Sequence, residues 1–82
     1  MEIDFFSGMN LTRQAHYTWR HGEHLAKTEG LRFDYDLYRL HHFFVEVVYN
    51  LELGQVEHVE GFVNNDKLIQ YVDELDISHL LQ

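Results

Sequence analysis

The sequence predicts an α+β domain with a helix, a three-stranded antiparallel meander and a second helix, both helices lying on one face of the sheet. Three observations lead to this prediction. Residues 43–50 are mostly β-branched or aromatic, a composition that suits a half-buried strand better than a helix. Apolar residues recur at helical spacing before that segment, from Leu11, and after it, from Leu68. Short strands connected locally are typical of an antiparallel sheet that is covered by helices on one face.

Composition limits the classes of protein to consider. The 82 residues fit a single domain over residues 1–82, and the absence of cysteine excludes disulfides and thiol catalysis. Fourteen acidic and six basic residues give a net charge of −8, which disfavours binding to nucleic acid. The first residues lack the basic and apolar regions of a signal peptide, and no stretch reaches the ~20 apolar residues of a membrane span. We therefore expect a cytoplasmic protein that binds neither nucleic acid nor membranes.

The first helix is predicted to run from Leu11 to about Gly30. Ser7 or Asn10 can cap its N-terminus, because a side-chain oxygen there accepts a hydrogen bond from a free backbone N–H. Gly30 suits its C-terminus, since glycine adopts positive φ without steric cost. Residues 1–8 would form either an irregular lead-in or a short strand. Seven residues share one side of the helical wheel: Leu11, Ala15, Thr18, Trp19, Gly22, Leu25 and Ala26.

The stretch from Tyr35 to Asn50 is predicted to contain two strands. It is too long for a single strand, whose usual length is about 5–6 residues. We place a two-residue turn at His41-His42, although histidine is not an ideal residue for such a turn. The resulting register pairs Leu40 with Phe43, Arg39 with Phe44 and Tyr38 with Val45.

After this hairpin, the sequence predicts a loop, a third strand and a second helix. The loop covers residues 50–54, with Gly54 at positive φ. The third strand covers residues 55–63, and we expect a β-bulge near residues 58–61 because its apolar residues recur every three positions. Residues 64–66 would cap the second helix, and a final turn would dock after it.

The central hairpin resembles a group of short, uncharacterised bacterial proteins. The resemblance covers roughly residues 35–80 and is carried by Leu37-Tyr38-Arg39-Leu40, a two-residue turn and the strand at residues 43–49. In that group the turn is often Asp-Gly, where this chain has His41-His42. The later residues that fit the pattern are Phe62, Tyr71 and Asp76-Ile77-Ser78. The resemblance implies a bacterial cytosolic origin and a compact α+β fold, but no activity.

Seven histidines suggest an alternative function, the binding of a divalent metal. On a helix that continues to Gly30, His21 and His24 would lie at positions i and i+3, on one side of the helix. Zinc normally takes at least three protein ligands, so another histidine would have to complete this site. The simpler interpretation is a set of solvated surface histidines that hold no metal.

The first helix also carries a basic pattern. Arg13, Arg20 and Lys27 recur every seven residues on the side opposite the apolar residues. Five of the six basic residues precede position 40, whereas eight acidic residues follow position 41. Three interpretations remain open for this basic ridge: a solvated helix face, contact with an acidic surface on a second copy or another protein, and binding of a nucleic acid or another anion.

Catalysis has little support in the sequence. Neither serine lies in a nucleophile elbow, and there is no glycine-rich phosphate loop. Asp34 with Asp36, and Glu57 with Glu60, could act as acid and base only if a cleft buried them. We therefore expect neither an enzyme nor a cofactor.

The leading hypothesis concerns assembly. If both helices cover one face of the sheet, Phe44 and Val48 would lie on the uncovered face, and an open face or edge strand favours pairing with another chain. The sequence therefore suggests a small interaction or accessory protein that forms a homodimer or binds another protein. Phe44 and Val48 would supply apolar contacts, while Arg13, Arg20 and Lys27 would supply charge specificity.

Overall fold

The computed structural model describes residues 1–63. They form two helices, α1 (Ile3–Ser7) and α2 (Leu11–His21), and then four strands, β1 (Glu23–Glu29), β2 (Phe33–Leu40), β3 (Phe43–Asn50) and β4 (Gln55–Phe62). The strands make one antiparallel sheet in the order β1-β2-β3-β4. The α+β class is confirmed, but the sheet has four strands rather than three, and both described helices precede it. The predicted second helix and final turn lie outside the described residues.

The hairpin of β2 and β3 has the predicted register. Three cross-strand pairs define it: Leu40 with Phe43, Arg39 with Phe44 and Tyr38 with Val45. His41 and His42 form the turn, and only the first of them has a positive φ, at 58°. A positive φ at the first position alone is the pattern of a type II′ turn, whose twist matches that of the flanking strands. Glycine normally occupies that position, so the side chain of His41 makes this backbone conformation costly.

Residues 22–30 were predicted as helix, and this prediction is wrong, because most of them form β1. Helix α2 ends at His21, where the N–H of Gly22 donates to the carbonyl of Thr18 over 2.8 Å. A Cβ at Gly22 would lie only 2.6 Å from that carbonyl oxygen. The glycine is therefore needed where the chain turns from helix into strand.

A β-bulge in β1 explains why the helical wheel appeared to continue. The pairing of β1 with β2 shifts between His24 and Ala26. Leu25 is the extra residue, and both Leu25 and Ala26 pack into the same apolar cluster. Two adjacent apolar residues on one side are expected in a helix but not in a regular strand.

The N-terminal residues form α1 rather than the predicted lead-in or strand. This helix has no side-chain cap, and its five residues are too few to be stable in isolation. Tertiary contacts hold it: Phe6 is fully buried, and the amide of Gln14 donates to the carbonyl of Phe6 over 3.0 Å. Asn10 caps α2 as predicted, since its Oδ1 accepts from the N–H of Arg13 over 2.9 Å.

Strand β4 matches its predicted extent to within one residue, and Gly54 in the preceding loop has the expected positive φ, at 67°. The bulge lies one position earlier than predicted. Val48 is opposite His58 and the next residue of β3 is opposite Val56, so Glu57 is the extra residue. Neither helix among the described residues is long or apolar enough to cross a membrane.

Apolar side chains are buried on both faces of the sheet. The larger cluster lies under α1 and α2 and consists of Phe6, Ala15, Leu40, Phe43, Val45, Val47 and Val59. The opposite face holds Ala26, Leu37 and Phe62, with Phe44 packed against them. Phe44 and Val48 therefore lie on the predicted face. The prediction that this face is uncovered is wrong, because Val48 is only 8% exposed and Phe44 is half-buried, its ring stacked 5.7 Å from that of Phe62.

Candidate functional site

The predicted basic ridge is divided between two elements. Arg13 and Arg20 lie on α2, about 10.5 Å apart along the helix axis. Lys27 lies on β1, where its ammonium group is 3.5 Å from a carboxylate oxygen of Asp34. Within residues 1–63, neither arginine forms an ion pair, and both are exposed. The ridge therefore reduces to two guanidinium groups on α2, and Lys27 belongs to a different surface.

A depression of about 470 Å³ lies on the outer side of α2. Its lining residues are Met9, Arg13, His16, Tyr17, Arg20 and His21. None of these side chains is acidic, although the chain carries a net charge of −8. Two are permanently positive and two are imidazoles, which become positive when they are protonated. The depression is therefore a locally positive surface on an acidic protein.

Tyr17 connects this depression to the turn between β2 and β3. Its hydroxyl lies 2.9 Å from Nε2 of His41, and the two ring centroids are 6.0 Å apart. On its other side, the Tyr17 ring lies 4.5 Å from the ring of His21. We use the name α2 basic surface for the set of Arg13, His16, Tyr17, Arg20, His21 and His41.

The sequence predicted only part of the α2 basic surface. The heptad spacing identified Arg13 and Arg20, but His41 was considered only as a turn residue and as one of the histidines that could complete a metal site. It lies 24 positions after Tyr17, and no local pattern connects the two residues. The available signal was the histidine at a turn position that favours glycine, because costly backbone conformations persist where the surrounding structure imposes them, often at functional sites.

The His41→Gly variant is expected to raise the free energy of unfolding by about 0.5–1 kcal/mol. Glycine removes the steric cost of positive φ, which exceeds the contribution of an exposed hydrogen bond to Tyr17. Urea denaturation measures the change. His42→Gly is the matched control, because it removes the same side chain where φ is not positive, and it is expected to lower stability. A less stable His41→Gly variant would show that the contact with Tyr17 outweighs the backbone strain.

The two candidate metal ligands do not lie together on one helix. His21 ends α2, whereas His24 lies on β1, where its Nε2 is 2.7 Å from Oδ1 of Asp36. The predicted i and i+3 geometry is therefore wrong, because the helix ends before His24. In the part of the chain that the structure describes, no three metal-binding side chains lie close enough to hold an ion.

Each carboxylate of the acidic pair on β2 lies beside a basic side chain. Asp34 and Asp36 share the helix-covered face, where Lys27 is the partner of the first and His24 the partner of the second. Burial, and then the negative charge of Asp36, raise the pKa of Tyr38 above its ordinary value, while a hydrogen bond with Trp19 lowers it. Tyr38 therefore stays neutral to higher pH than a free tyrosine. The second pair, Glu57 and Glu60, lies on β4 and is not among the residues that line the depression on α2.

Comparison of the chain with protein-family models, with curated protein sequences and with solved structures found no match in any of the three. The resemblance of residues 35–80 to short bacterial proteins stays a prediction.

Proposed function

We propose that the protein is a small interaction module that binds an acidic segment of a partner protein through the α2 basic surface. The observation that carries this proposal is the depression on α2, whose lining among residues 1–63 combines Arg13 and Arg20 with the adjacent rings of Tyr17 and His21 and includes no carboxylate. Within the same residues, neither arginine forms an ion pair. A guanidinium group binds carboxylates through two parallel hydrogen bonds, and arginine and tyrosine are enriched among the residues that dominate binding energy at interfaces.

The competing mode of assembly, a homodimer through the sheet, has less support. Val48 and Leu37 on the face opposite the helices are buried within the chain. Among the described residues, β1 and β4 are the edge strands, and each carries a bulge and exposed charged side chains. Bulges and charges are features that discourage edge-to-edge pairing of strands.

A protein partner also fits better than a nucleic acid. Affinity for nucleic acid depends on the number of phosphates that basic residues neutralise. The α2 basic surface offers two arginines on a chain of net charge −8, so a long polyanion would meet repulsion beyond them. A short segment with two or three carboxylates requires only the local surface.

The proposal is tested with a labelled peptide, Ser-Ser-Glu-Ser-Ser-Glu-Ser-Ser. In the polyproline II conformation, which has three residues per turn and a rise of about 3.1 Å per residue, the two glutamates lie on one side of the peptide about 9 Å apart, close to the axial spacing of Arg13 and Arg20. We expect Arg13→Ala/Arg20→Ala to weaken binding at least tenfold, as measured by fluorescence anisotropy at low ionic strength. Binding should also weaken as salt is added, because the contacts are exposed.

The matched control is Lys27→Ala/Arg32→Ala. It also removes two positive charges, but from exposed positions outside the α2 basic surface, so it is expected to change the affinity less than twofold. An equal loss in both double variants would show that overall charge, not this surface, attracts the peptide. The proposal fails if the unmodified protein does not bind the peptide, or binds a version with glutamine in place of glutamate equally well.

A further inference from the structure

The α2 basic surface continues into an apolar one at the N-terminus of the protein. A second depression, of about 380 Å³, is lined by Asp4, Phe5, Gly8, Met9 and Arg13. Met9 and Arg13 line both depressions. A ligand that lies against Arg13 on α2 therefore also reaches the side of α1 that carries Phe5.

Phe5 is unusually exposed for an aromatic side chain, at 67% of its surface. The burial of α1 does not require it, because the neighbouring residue Phe6 supplies the buried ring of this helix. Met9, beside it, is half-buried and packs against the larger apolar cluster. An exposed ring next to an apolar side chain is typical of a contact surface, since aromatic residues are enriched at interfaces.

The charges around the second depression differ from those around the first. Asp4 is acidic and lies beside Phe5, whereas Arg13 lies at the junction of the two depressions. A carboxylate of a partner would be repelled near Asp4 and attracted by Arg13 and Arg20. An uncharged side chain over Phe5 and Met9 meets no such repulsion and removes apolar surface from water.

We infer that the acidic segment of the partner carries an aromatic or large apolar residue that docks on Phe5 and Met9, while its carboxylates bind Arg13 and Arg20. This inference rests on the proposed function and specifies the partner further. The ligand is then an acidic segment with one apolar anchor, and the anchor lies at the α1 end of the binding surface.

The test compares two peptides that differ only in their ends. Phe-Ser-Glu-Ser-Ser-Glu-Ser-Phe offers an anchor in either chain direction, and Ser-Ser-Glu-Ser-Ser-Glu-Ser-Ser offers none. We expect the anchored peptide to bind at least about fivefold more tightly to the unmodified protein. Phe5→Ala should remove this advantage and leave the affinity for the anchor-free peptide unchanged. Leu53→Ala, at a residue that is 63% exposed, is the control for non-specific apolar contact and should preserve the advantage.

The outcomes separate this inference from the proposed function. If both peptides bind equally and both depend on Arg13 and Arg20, the inference is overturned and the proposed function stands. If the anchored peptide binds more tightly but Phe5→Ala has no effect, the anchor docks elsewhere and the inference is again overturned. If the anchored peptide binds and Arg13→Ala/Arg20→Ala has no effect, the proposed function fails, and the inference, which includes the contacts of the carboxylates with these arginines, fails with it.

Discussion

Replacing Phe6 with alanine is expected to lower the free energy of unfolding by about 3–5 kcal/mol. Phe6 is fully buried, its ring lies 5.5 Å from that of Phe43, and a Cβ added at Gly61 would lie 3.4 Å from it. The variant loses this packing and leaves a cavity between α1 and the sheet. Because a domain typically has a total stability of about 5–15 kcal/mol, the loss is a large share of it. Urea denaturation followed by circular dichroism measures the change.

Phe5→Ala is the matched control for Phe6→Ala. It makes the same substitution one position earlier in the same helix, at a residue that is 67% exposed, and is expected to change stability by less than about 0.5 kcal/mol. A loss of the same size in both variants would show that α1 does not bury Phe6 selectively. The small effect at Phe5 is also what makes that variant usable in binding experiments.

The second large effect is expected at Leu37, on the face of the sheet opposite the helices. Leu37→Ala should lower the free energy of unfolding by about 2–5 kcal/mol, because the side chain is fully buried against Ala26 and Phe62. If this face were open to solvent, as the sequence alone suggested, the cost would be far smaller. The same urea denaturation experiment therefore measures whether the second face is part of the folded core.

Leu53→Ala provides the comparison for Leu37→Ala. The chemical change is identical, but Leu53 lies in the loop before β4 and is 63% exposed, so the expected change is within about 0.5 kcal/mol. Similar stabilities for the two variants would show that Leu37 is not buried in solution. In that case, this face of the sheet would be open to a binding partner.

The sequence predicted the central hairpin because its signals are local. Residues 43–50 have a composition that few helices share, and the length of the extended stretch required a turn near its middle. The turn position then determined every cross-strand pair, and the register agrees with the prediction. Asn10 as a cap and Gly54 at positive φ were likewise predictable from single residue types.

The boundary between α2 and β1 was not predictable from periodicity. The bulge at Leu25 places two adjacent apolar residues in one cluster, and this arrangement copies the spacing of a helix. Gly22 was the available signal, but glycine also occurs within helices, at a cost of about 1 kcal/mol. Helix α1 gave no signal, because tertiary packing of Phe6 stabilises it instead of a capping residue.

In the candidate site, too, residues on one helix were predictable from local spacing, whereas a residue brought in by tertiary packing was not. Arg13 and Arg20 lie on one helix, so their spacing in the sequence is sufficient to place them together. His41 joins them through Tyr17 only because the β2–β3 turn packs beside α2. Lys27 was assigned to the same ridge because the helix was predicted to be too long, and Asp34 is its actual partner.

The order of strands in the sheet has a kinetic consequence. Each strand pairs with the next strand along the chain, and the connections contain three, two and four residues between β1 and β2, β2 and β3, and β3 and β4. Bringing together strands that are so close in sequence costs little chain entropy. Proteins dominated by such short-range pairings fold faster than those whose strands pair across long separations. The sheet can therefore grow outward from the β2–β3 hairpin, one neighbouring strand at a time.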